Sequence, residues 1–593
     1  MDAILFTDLR EALRNEKDSF LRHFESGGRS SMRLKLNKSS FLPGETAVCL
    51  LESLPAYTVD VSFCLFYLTE PVIAGTIPVQ NQLYLKLPDR DFTGYLLQVT
   101  AYDQTHRASE TAYAGLDCSS TWTKFPRYGY LWDYTHGTSA SDIIDNLSRF
   151  HLNALQFYDW QYRHHIPVAP DLSEWSDWSG RVISGSVVRA YLEEAHKRGM
   201  VGMAYNMIYA ANMTYLDDGS EVSPEWRLIK ENGDDFTCDM DANLGKVGIL
   251  QYFNPLNPDW QKYIFKKENE VFAAFPFDGW HGDTIGEMGI MKTSDGSPLG
   301  YNANGDPIRT VKESYTLFLN AAKEAIGNHY LVFNPVGAQG VENVNISNAD
   351  VLYTEFWPWD LDDRGKPYKD YYSIHRAILQ AQKQSGKSLV VAAYINYKNP
   401  SEYFNPPAVR LMDSVVFASG GSRIELGNGD GMLSNEYFPD DRHKKMDPDL
   451  SVTVQRMYDF IVAYENLLRN GQESIDCSVE IADIPVSYDG QPNRIWCFGK
   501  KDHEYKIYHF INLCGTDHEW RDTDQIKNEP SELKDLITSI HIPNAVQKIW
   551  LVSPDREDIS PQSIPFDLTA ADDGYCLQFK MPFLSYWNMV FMR

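Results

Sequence analysis

The most informative stretch of the sequence runs from Asp278 to Gly286 and reads Asp-Gly-Trp-His-Gly-Asp-Thr-Ile-Gly. It follows an apolar run, residues 271–275, and is apolar enough at its centre to form a buried β-strand. The pattern therefore predicts a strand that opens into a loop at Asp283.

A second run, residues 351–358, reads Val-Leu-Tyr-Thr-Glu-Phe-Trp-Pro and presents Glu355 in the same way. Aromatic residues stand beside both carboxylates: Trp280 and His281 in the first run, Tyr353 and Trp357 in the second. Two carboxylates flanked by flat rings are the groups that glycoside hydrolysis requires. One attacks or stabilises the anomeric carbon, the other donates and then removes a proton, and the rings stack on sugar faces. The alternative interpretation of any one such Asp is a loop cap.

The region around these runs alternates between apolar strands and amphipathic helices. Eight strands are predicted, and they lie at residues 128–132, 154–158, 201–205, 279–284, 330–333, 351–356, 389–394 and 422–426. This rhythm indicates a (β/α)8 TIM barrel, in which functional groups lie at the carboxyl ends of the strands. A doubly wound open sheet is the alternative, but no Gly-rich phosphate loop follows any strand.

Short alternating strands flank this region on both sides. The sequence predicts a helical lead-in and a β-sandwich over residues 1–120, a catalytic barrel over residues 121–472, and a second, Greek-key β-sandwich over residues 473–593.

Composition excludes several classes of protein. The 593 residues carry a net charge of −27, which argues against nucleic acid and anionic membranes as partners. Eight cysteines without a CxxC pair disfavour zinc, and we expect no cofactor. The amino terminus lacks the features of a signal peptide, so we expect a cytoplasmic protein, or a secreted one if a leader was removed.

Two further clusters follow predicted strands. The first contains Tyr158, Asp159 and Trp160, which follow the second strand and offer aromatic rings and a hydrogen-bond acceptor to a sugar. A metal site at the nearby His164 and His165 is the less favoured interpretation, because no complete set of ligands accompanies them. Further candidates for hydroxyl recognition at or beyond strand ends are Asn206, Asn334, Asn396, Glu425, Asp430 and Glu436. Turn capping, or a Gly-rich surface loop at residues 425–431, is the alternative for these.

These segments together resemble glycoside hydrolase family 66, the family of endo-dextranases and cycloisomaltooligosaccharide glucanotransferases. The resemblance is carried by residues 125–129, 155–162, 278–286, 353–358 and 432–439. It implies an N-terminal immunoglobulin-like domain, a catalytic barrel, a C-terminal Greek-key domain and a retaining attack on α-1,6-linked glucan. The family's nucleophile falls on Asp283 and its acid/base on Glu355.

The resemblance also bears on the reaction outcome. The cyclising enzymes carry an extra carbohydrate-binding domain in the late barrel, whereas the path from Asn396 to Glu425 is short here. This favours endo-hydrolysis of dextran or isomaltooligosaccharides. The alternatives are a cyclising glucanotransferase, a hydrolase of another α-glucan, and a non-catalytic carbohydrate-binding protein.

Overall fold

The computed structural model describes residues 32–357, 359–395, 401–428, 431–433, 445–521 and 527–593. The helical lead-in predicted within residues 1–30 lies outside them. No helix of the described part of the chain is both long and apolar enough to cross a membrane.

The centre of the molecule is an eight-stranded sheet in which all neighbouring strands are parallel. In chain order, which is also their spatial order, the barrel strands are Tyr128–Leu131, Ala154–Phe157, Val201–Met207, Gly279–Asp283, Tyr330–Phe333, Val351–Phe356, Leu389–Ala393 and Ser422–Ile424. The N–H of Tyr130 in the first strand donates to the carbonyl of Leu426, just after the eighth, at 3.0 Å. The structure thus confirms a multidomain chain built around a TIM-like barrel.

Helices cover the outside of this sheet. Their bounds are Ala140–Ser148, Gly185–Lys197, Pro258–Ala274, Tyr315–Ile326, Val341–Asn345, Tyr371–Ser385, Pro406–Ser419, Pro448–Ala463 and Glu465–Leu468. The segment Thr310-Val311-Lys312-Glu313 has the sequence of a capping box, and it forms in part, because the Glu313 carboxylate accepts the N–H groups of Arg309 and Thr310. The helix that follows ends at Gly327, whose φ of 62° lies in the left-handed region.

The interior of the barrel is rich in tyrosine. Side chains alternate along each strand, so one set points into the barrel and the other packs against the helices. The inward set forms one cluster that includes Tyr128, Met203, Tyr205, Tyr353 and Val390. Hydroxyl groups therefore line a barrel core that is usually filled by aliphatic residues.

Several connections carry short strands of their own. These are Glu174–Ser176, Val182–Ser184, Ala210–Asn212, Leu228–Lys230, Thr237–Asp239, Ile249–Tyr252, Met291–Thr293, Gly300–Tyr301 and Pro307–Ile308. The connection between the third barrel strand and helix Pro258–Ala274 is the one that matters most for the cavity described below, because it supplies Met240 and Leu250 to its wall.

Two sheets precede the barrel and share one core. The strands Arg33–Leu36, Thr46–Glu52 and Gln82–Lys86 form one sheet, and Asp60–Tyr67, Glu70–Pro78, Thr93–Tyr102 and Ala108–Cys118 form the other. Their inner faces bury a common apolar cluster, as expected for a sandwich. The immunoglobulin-like assignment and the predicted domain boundaries remain predictions.

Two more sheets follow the barrel and again enclose one apolar cluster. The first contains Glu473–Ile475, Val486–Ser487, Ile495–Lys501, Lys506–Asn512, Ile549–Val552, Gln562–Ser563 and Trp587–Met592. The second contains Val479–Ile481, Leu533–Ile542, Phe566–Ala571 and Gly574–Leu584. The Greek-key assignment remains a prediction.

A buried arginine joins the first sandwich to the barrel. Arg127 stands just before the first barrel strand, and its guanidinium contacts Asp117 at 2.6 Å and Glu465 at 3.2 Å. It also donates to the backbone carbonyls of Ser39 and Phe125. All three charged side chains are fully buried; Arg127 compensates Asp117, and Glu465 is compensated by Arg127 together with Arg469, which lies 3.7 Å away.

We expect Arg127→Met to lower the free energy of unfolding by about 3–5 kcal/mol, because it leaves the buried Asp117 carboxylate without the cation that pairs with it. Thermal unfolding followed by circular dichroism measures the effect as a lower midpoint. Arg90→Met is the matched control, because Arg90 lies over the ring of Tyr67 in an exposed contact, and its loss should cost less than about 1 kcal/mol. Equal midpoints for the two variants would contradict the prediction.

Candidate active site

A cavity of about 220 Å³ opens at the carboxyl ends of the barrel strands and contains both predicted catalytic carboxylates, Asp283 and Glu355. A larger cavity of about 560 Å³ lies elsewhere, between Arg33 and helix Pro448–Ala463, and no predicted site residue lines it. The smaller cavity is therefore the candidate active site, as its position in the barrel also indicates.

Asp283 is the last residue of the fourth barrel strand, and three donors hold its carboxylate. The Tyr205 hydroxyl donates at 2.7 Å, the backbone N–H of Thr284 at 2.8 Å, and the Asn334 amide at 3.0 Å. Burial raises the pKa of Asp283 to about 6, and these three hydrogen bonds limit the rise. The carboxylate is thus fixed in one orientation and is still able to ionise near neutral pH.

Glu355 is the penultimate residue of the sixth barrel strand and faces the same cavity. The Tyr394 hydroxyl donates to its Oε1 at 2.5 Å, and the Asn334 amide donates to its Oε2 at 3.2 Å. The residue is 8% exposed, so it retains a narrow access to the cavity.

One amide nitrogen, Asn334 Nδ2, therefore bridges both carboxylates. It lies 3.0 Å from Asp283 Oδ1 and 3.2 Å from Glu355 Oε2. The separation of these two facing oxygens cannot exceed the sum of the two distances. This places the carboxylates close enough to act on one bond from two directions.

Aromatic groups line the cavity around the carboxylates. Tyr158, Trp178 and Trp357 contribute to the walls, and His281 and Tyr353 lie deeper in the barrel. Burial lowers the pKa of His281 to about 3, so the ring is neutral at ordinary pH, and Nδ1 pairs with the Tyr128 hydroxyl at 2.9 Å. His281 is therefore suited to hold the cavity floor in place and unsuited to carry a proton.

A third carboxylate, Asp159, also lines the cavity. Its φ of 49° lies in the left-handed region, and Arg181 contacts its carboxylate at 3.1 Å while also pairing with Asp177. Burial raises the pKa of Asp159 to about 7, against the lowering effect of Arg181. The strained backbone and the arginine hold an acceptor at the wall, as binding a sugar hydroxyl requires.

Four residues predicted to bind substrate are placed elsewhere, and these predictions are corrected. Trp280 packs against Phe318 on the helix side of its strand, because it is out of phase with the inward-facing His281 and Asp283. Trp160 is buried against Phe277. The other two, Asn206 and Glu425, are buried and bonded to Glu268 and to Tyr458 respectively.

Among the remaining predicted residues, Tyr158, Asp159, His281, Tyr353 and Trp357 all line the cavity. Asn396, Asp430 and Glu436 lie outside the described residues. Of the two histidines considered for metal, His164 bonds Asn206 and His165 bonds Asp218. Within the described ranges, no group of three or more His, Cys, Asp or Glu side chains could hold a metal ion.

Two tyrosines that hold the carboxylates were not among the residues predicted from the sequence. Tyr205 and Tyr394 stand at the ends of the third and seventh barrel strands, in phase with inward-facing Met203 and Ala392. That phase was available as a signal, since an inward tyrosine at a strand end must face the cavity. Trp178 belongs to a connection without periodicity, so no comparable signal marks it.

Comparisons with known proteins agree on one family. A model described as Glycosyl hydrolase family 66 matches residues 68–591. Cycloisomaltooligosaccharide glucanotransferase from Niallia circulans is 26% identical over 648 residues, covering 85% of this chain and 64% of that protein. Dextranase from Streptococcus salivarius is 25% identical over 576 residues, covering 84% of this chain and 67% of that protein. The chain thus spans slightly less than two thirds of the glucanotransferase's length.

The structure of cycloisomaltooligosaccharide glucanotransferase from Paenibacillus sp., complexed with cycloisomaltoheptaose, superposes with a TM-score of 0.84 at 23% identity. It covers 95% of this chain and all of that one, so the two share a fold. Because the family model matches most of the sequence, the chain belongs to glycosyl hydrolase family 66, a family of glycoside hydrolase enzymes.

Proposed function

We propose that this protein hydrolyses α-1,6-glucosidic linkages within dextran or isomaltooligosaccharides, with retention of anomeric configuration. Asp283 attacks the anomeric carbon and forms a covalent glycosyl-enzyme, while Glu355 protonates the departing glycosidic oxygen. Glu355 then removes a proton from water, which displaces Asp283 and releases the sugar.

The observation that carries the mechanism is the shared amide of Asn334. Retaining enzymes hold their two carboxyl groups about 5–5.5 Å apart, whereas inverting enzymes need roughly 6.5–9.5 Å to accommodate a water molecule. A single donor within 3.2 Å of both carboxylates favours the shorter separation. The choice of α-1,6-glucan as substrate draws on the family and on the names of the two curated relatives.

Hydrolysis and cyclising transfer share the same glycosyl-enzyme and differ in the acceptor. Two observations favour hydrolysis. The alignment with the glucanotransferase extends over 648 positions for 85% of this chain, and the alignment with the dextranase extends over 576 positions for 84% of it. Both relatives therefore carry additional residues within the matched region, and the glucanotransferase carries more of them. In addition, the chain passes from Ala393 to helix Pro406–Ser419 through a short connection.

Dextran digestion with product sizing tests the proposal. We expect a rapid fall in polymer length and linear isomaltooligosaccharides that each carry a reducing end. Cyclic products, which lack a reducing end, would instead support the glucanotransferase. Activity on starch without activity on dextran would redirect the assignment to another α-glucan, and turnover of neither would overturn it.

The mechanism makes a prediction about pH. Asp283 must be ionised to attack, and its pKa is about 6, so kcat/KM should rise with pH through an acidic limb near that value. Tyr205→Phe removes a hydrogen bond that lowers this pKa, and the limb should move to higher pH.

The matched control for this variant is Tyr263→Phe. Tyr263 is equally buried, and its hydroxyl donates to the carbonyl of His165, away from the cavity. A pH profile measured on a soluble isomaltooligosaccharide should be unchanged in that control. An unshifted acidic limb in Tyr205→Phe would show that another group sets it.

A further inference from the structure

A stack of aromatic rings leads from the candidate acid/base carboxylate to the protein surface. Tyr394, which donates to Glu355, lies against Trp357 with ring centroids 4.6 Å apart. Trp357 in turn stacks on Trp359, with centroids 4.9 Å apart and ring planes 18° from parallel. The exposed fraction grows along this series from 1% for Tyr394 to 8% for Trp357 and 59% for Trp359.

The outermost ring is supported by the C-terminal part of the chain. The Arg521 guanidinium lies 5.4 Å from the Trp357 ring centroid and 5.8 Å from that of Trp359. Both are within the range of a cation–π attraction. Trp359 is thus exposed to solvent and still held in a defined orientation.

Backbone contacts fix the segment that carries Arg521 against the barrel. The N–H of Trp520 donates to the carbonyl of Lys369 at 2.8 Å, and its indole Nε1 donates to the carbonyl of Tyr368 at 2.6 Å. The N–H of Tyr371 donates to the carbonyl of His518 at 3.0 Å. These contacts tie the connection after the sixth barrel strand to the C-terminal sheets, which limits its motion.

The position of the stack identifies the side of the scissile bond it serves. A general acid must lie beside the leaving oxygen, so the sugar that departs occupies the side of the cavity next to Glu355. The stack begins at Glu355 and continues outward from it, whereas Asp283 is held from the other side by Tyr205. A large flat ring that is rigid and solvent-exposed is a suitable surface for a pyranose face.

We propose that Trp359 forms an outer subsite for the leaving-group portion of the glucan, and that this subsite also receives the acceptor in transglycosylation. The inference rests on the proposed function and adds to it a determinant of chain-length preference and of the ratio of transfer to hydrolysis. Arg521 acts as a positioning residue for this ring.

The proposal is tested by measuring the variants Trp359→Ala and Trp359→Phe on three substrates. The control is Tyr84→Ala, which removes a similarly exposed ring from the N-terminal sheet. The substrates are dextran, a long isomaltooligosaccharide, and α-isomaltosyl fluoride, whose leaving group is too small to reach an outer subsite. For Trp359→Ala we expect kcat/KM to fall roughly tenfold on the two long substrates and to stay unchanged on the fluoride.

Transfer to added isomaltotriose should fall with the same variant, measured as the ratio of transfer product to hydrolysis product from the fluoride. Trp359→Phe should recover part of both losses, because it keeps a flat ring, and Tyr84→Ala should match the wild type. The inference would be overturned if kcat/KM of Trp359→Ala fell equally on all three substrates, or fell on none of them. Wild-type inactivity on all three would instead overturn the proposed function.

Discussion

Asp283→Ala is expected to lower kcat on dextran by at least ~10⁴-fold, because in the proposed mechanism no covalent intermediate can form without this carboxylate. The loss should appear in kcat more than in KM, since Asp283 contributes to the chemical step and the cavity walls remain. Initial rates of reducing-end release, with the fold of the variant checked by circular dichroism, measure the effect.

Loss of activity shows only that Asp283 is needed, whereas rescue by an external nucleophile tests whether Asp283 is the attacking group. In Asp283→Ala, azide can enter the space left by the side chain and displace fluoride from α-isomaltosyl fluoride. Attack from the side of the missing carboxylate inverts the configuration of the anomeric carbon, so the product should be the β-glycosyl azide. An α-azide from this variant would show that Asp283 does not occupy the attacking face.

The matched control is Asp278→Asn, which alters a carboxylate at the other end of the same run. Asp278 accepts the backbone N–H of Gly202 and pairs with His196 away from the cavity. We expect its kcat to stay within a few fold of the wild type. A loss as large as that of Asp283→Ala would mean that strand integrity, and not chemistry, explains both results.

Glu355→Gln is expected to lower kcat on dextran by roughly 10²–10⁴-fold, because the sugar leaving group then departs without a proton. The first step with α-isomaltosyl fluoride should be much less affected, since fluoride needs little protonation to leave. Comparison of the two substrates by initial rate and by burst kinetics separates the acid role from a general loss of activity.

Glu268→Gln provides a close control for this substitution. Glu268 is fully buried and bonded to Asn206, and burial raises its pKa to about 8, so it is protonated at neutral pH and closely resembles glutamine. Its activity on dextran should be near that of the wild type. If the burst-phase rate of Glu355→Gln, which reports the first step, fell as much on the fluoride as on dextran, the acid role would be wrong.

In Glu355→Ala, azide should yield the opposite product. It attacks the glycosyl-enzyme on the face shielded by Glu355 in the wild type, and two inversions give the α-glycosyl azide. The pair of azide products, β from one variant and α from the other, would establish the two roles in one set of experiments.

The sequence by itself determined the barrel strands and the position of the two carboxylates. All eight predicted strands form, because each is a short apolar run bounded by turn residues, a local signal that burial between helices reinforces. Asp283 and Glu355 stand at the ends of such runs, and parallel strands bring their carboxyl ends to one face.

The alternation of side chains along each strand also carried information about the site. Trp280 and Asp283 belong to one strand, and their odd separation places them on opposite faces. The same alternation marks Tyr205 and Tyr394 as inward-facing. Trp280 was therefore selected for its proximity to Asp283 along the chain, although the alternation of the strand places it on the opposite face.

Only the tertiary structure decided which distant groups meet around the carboxylates. Asn334 bridges Asp283 and Glu355, and Arg521 reaches Trp357 and Trp359 from the connection between strands Lys506–Asn512 and Leu533–Ile542. Such contacts depend on the closure of the barrel and on how neighbouring sheets pack against it. Local periodicity fixes which face a side chain presents, but the packing of whole elements determines what that face touches.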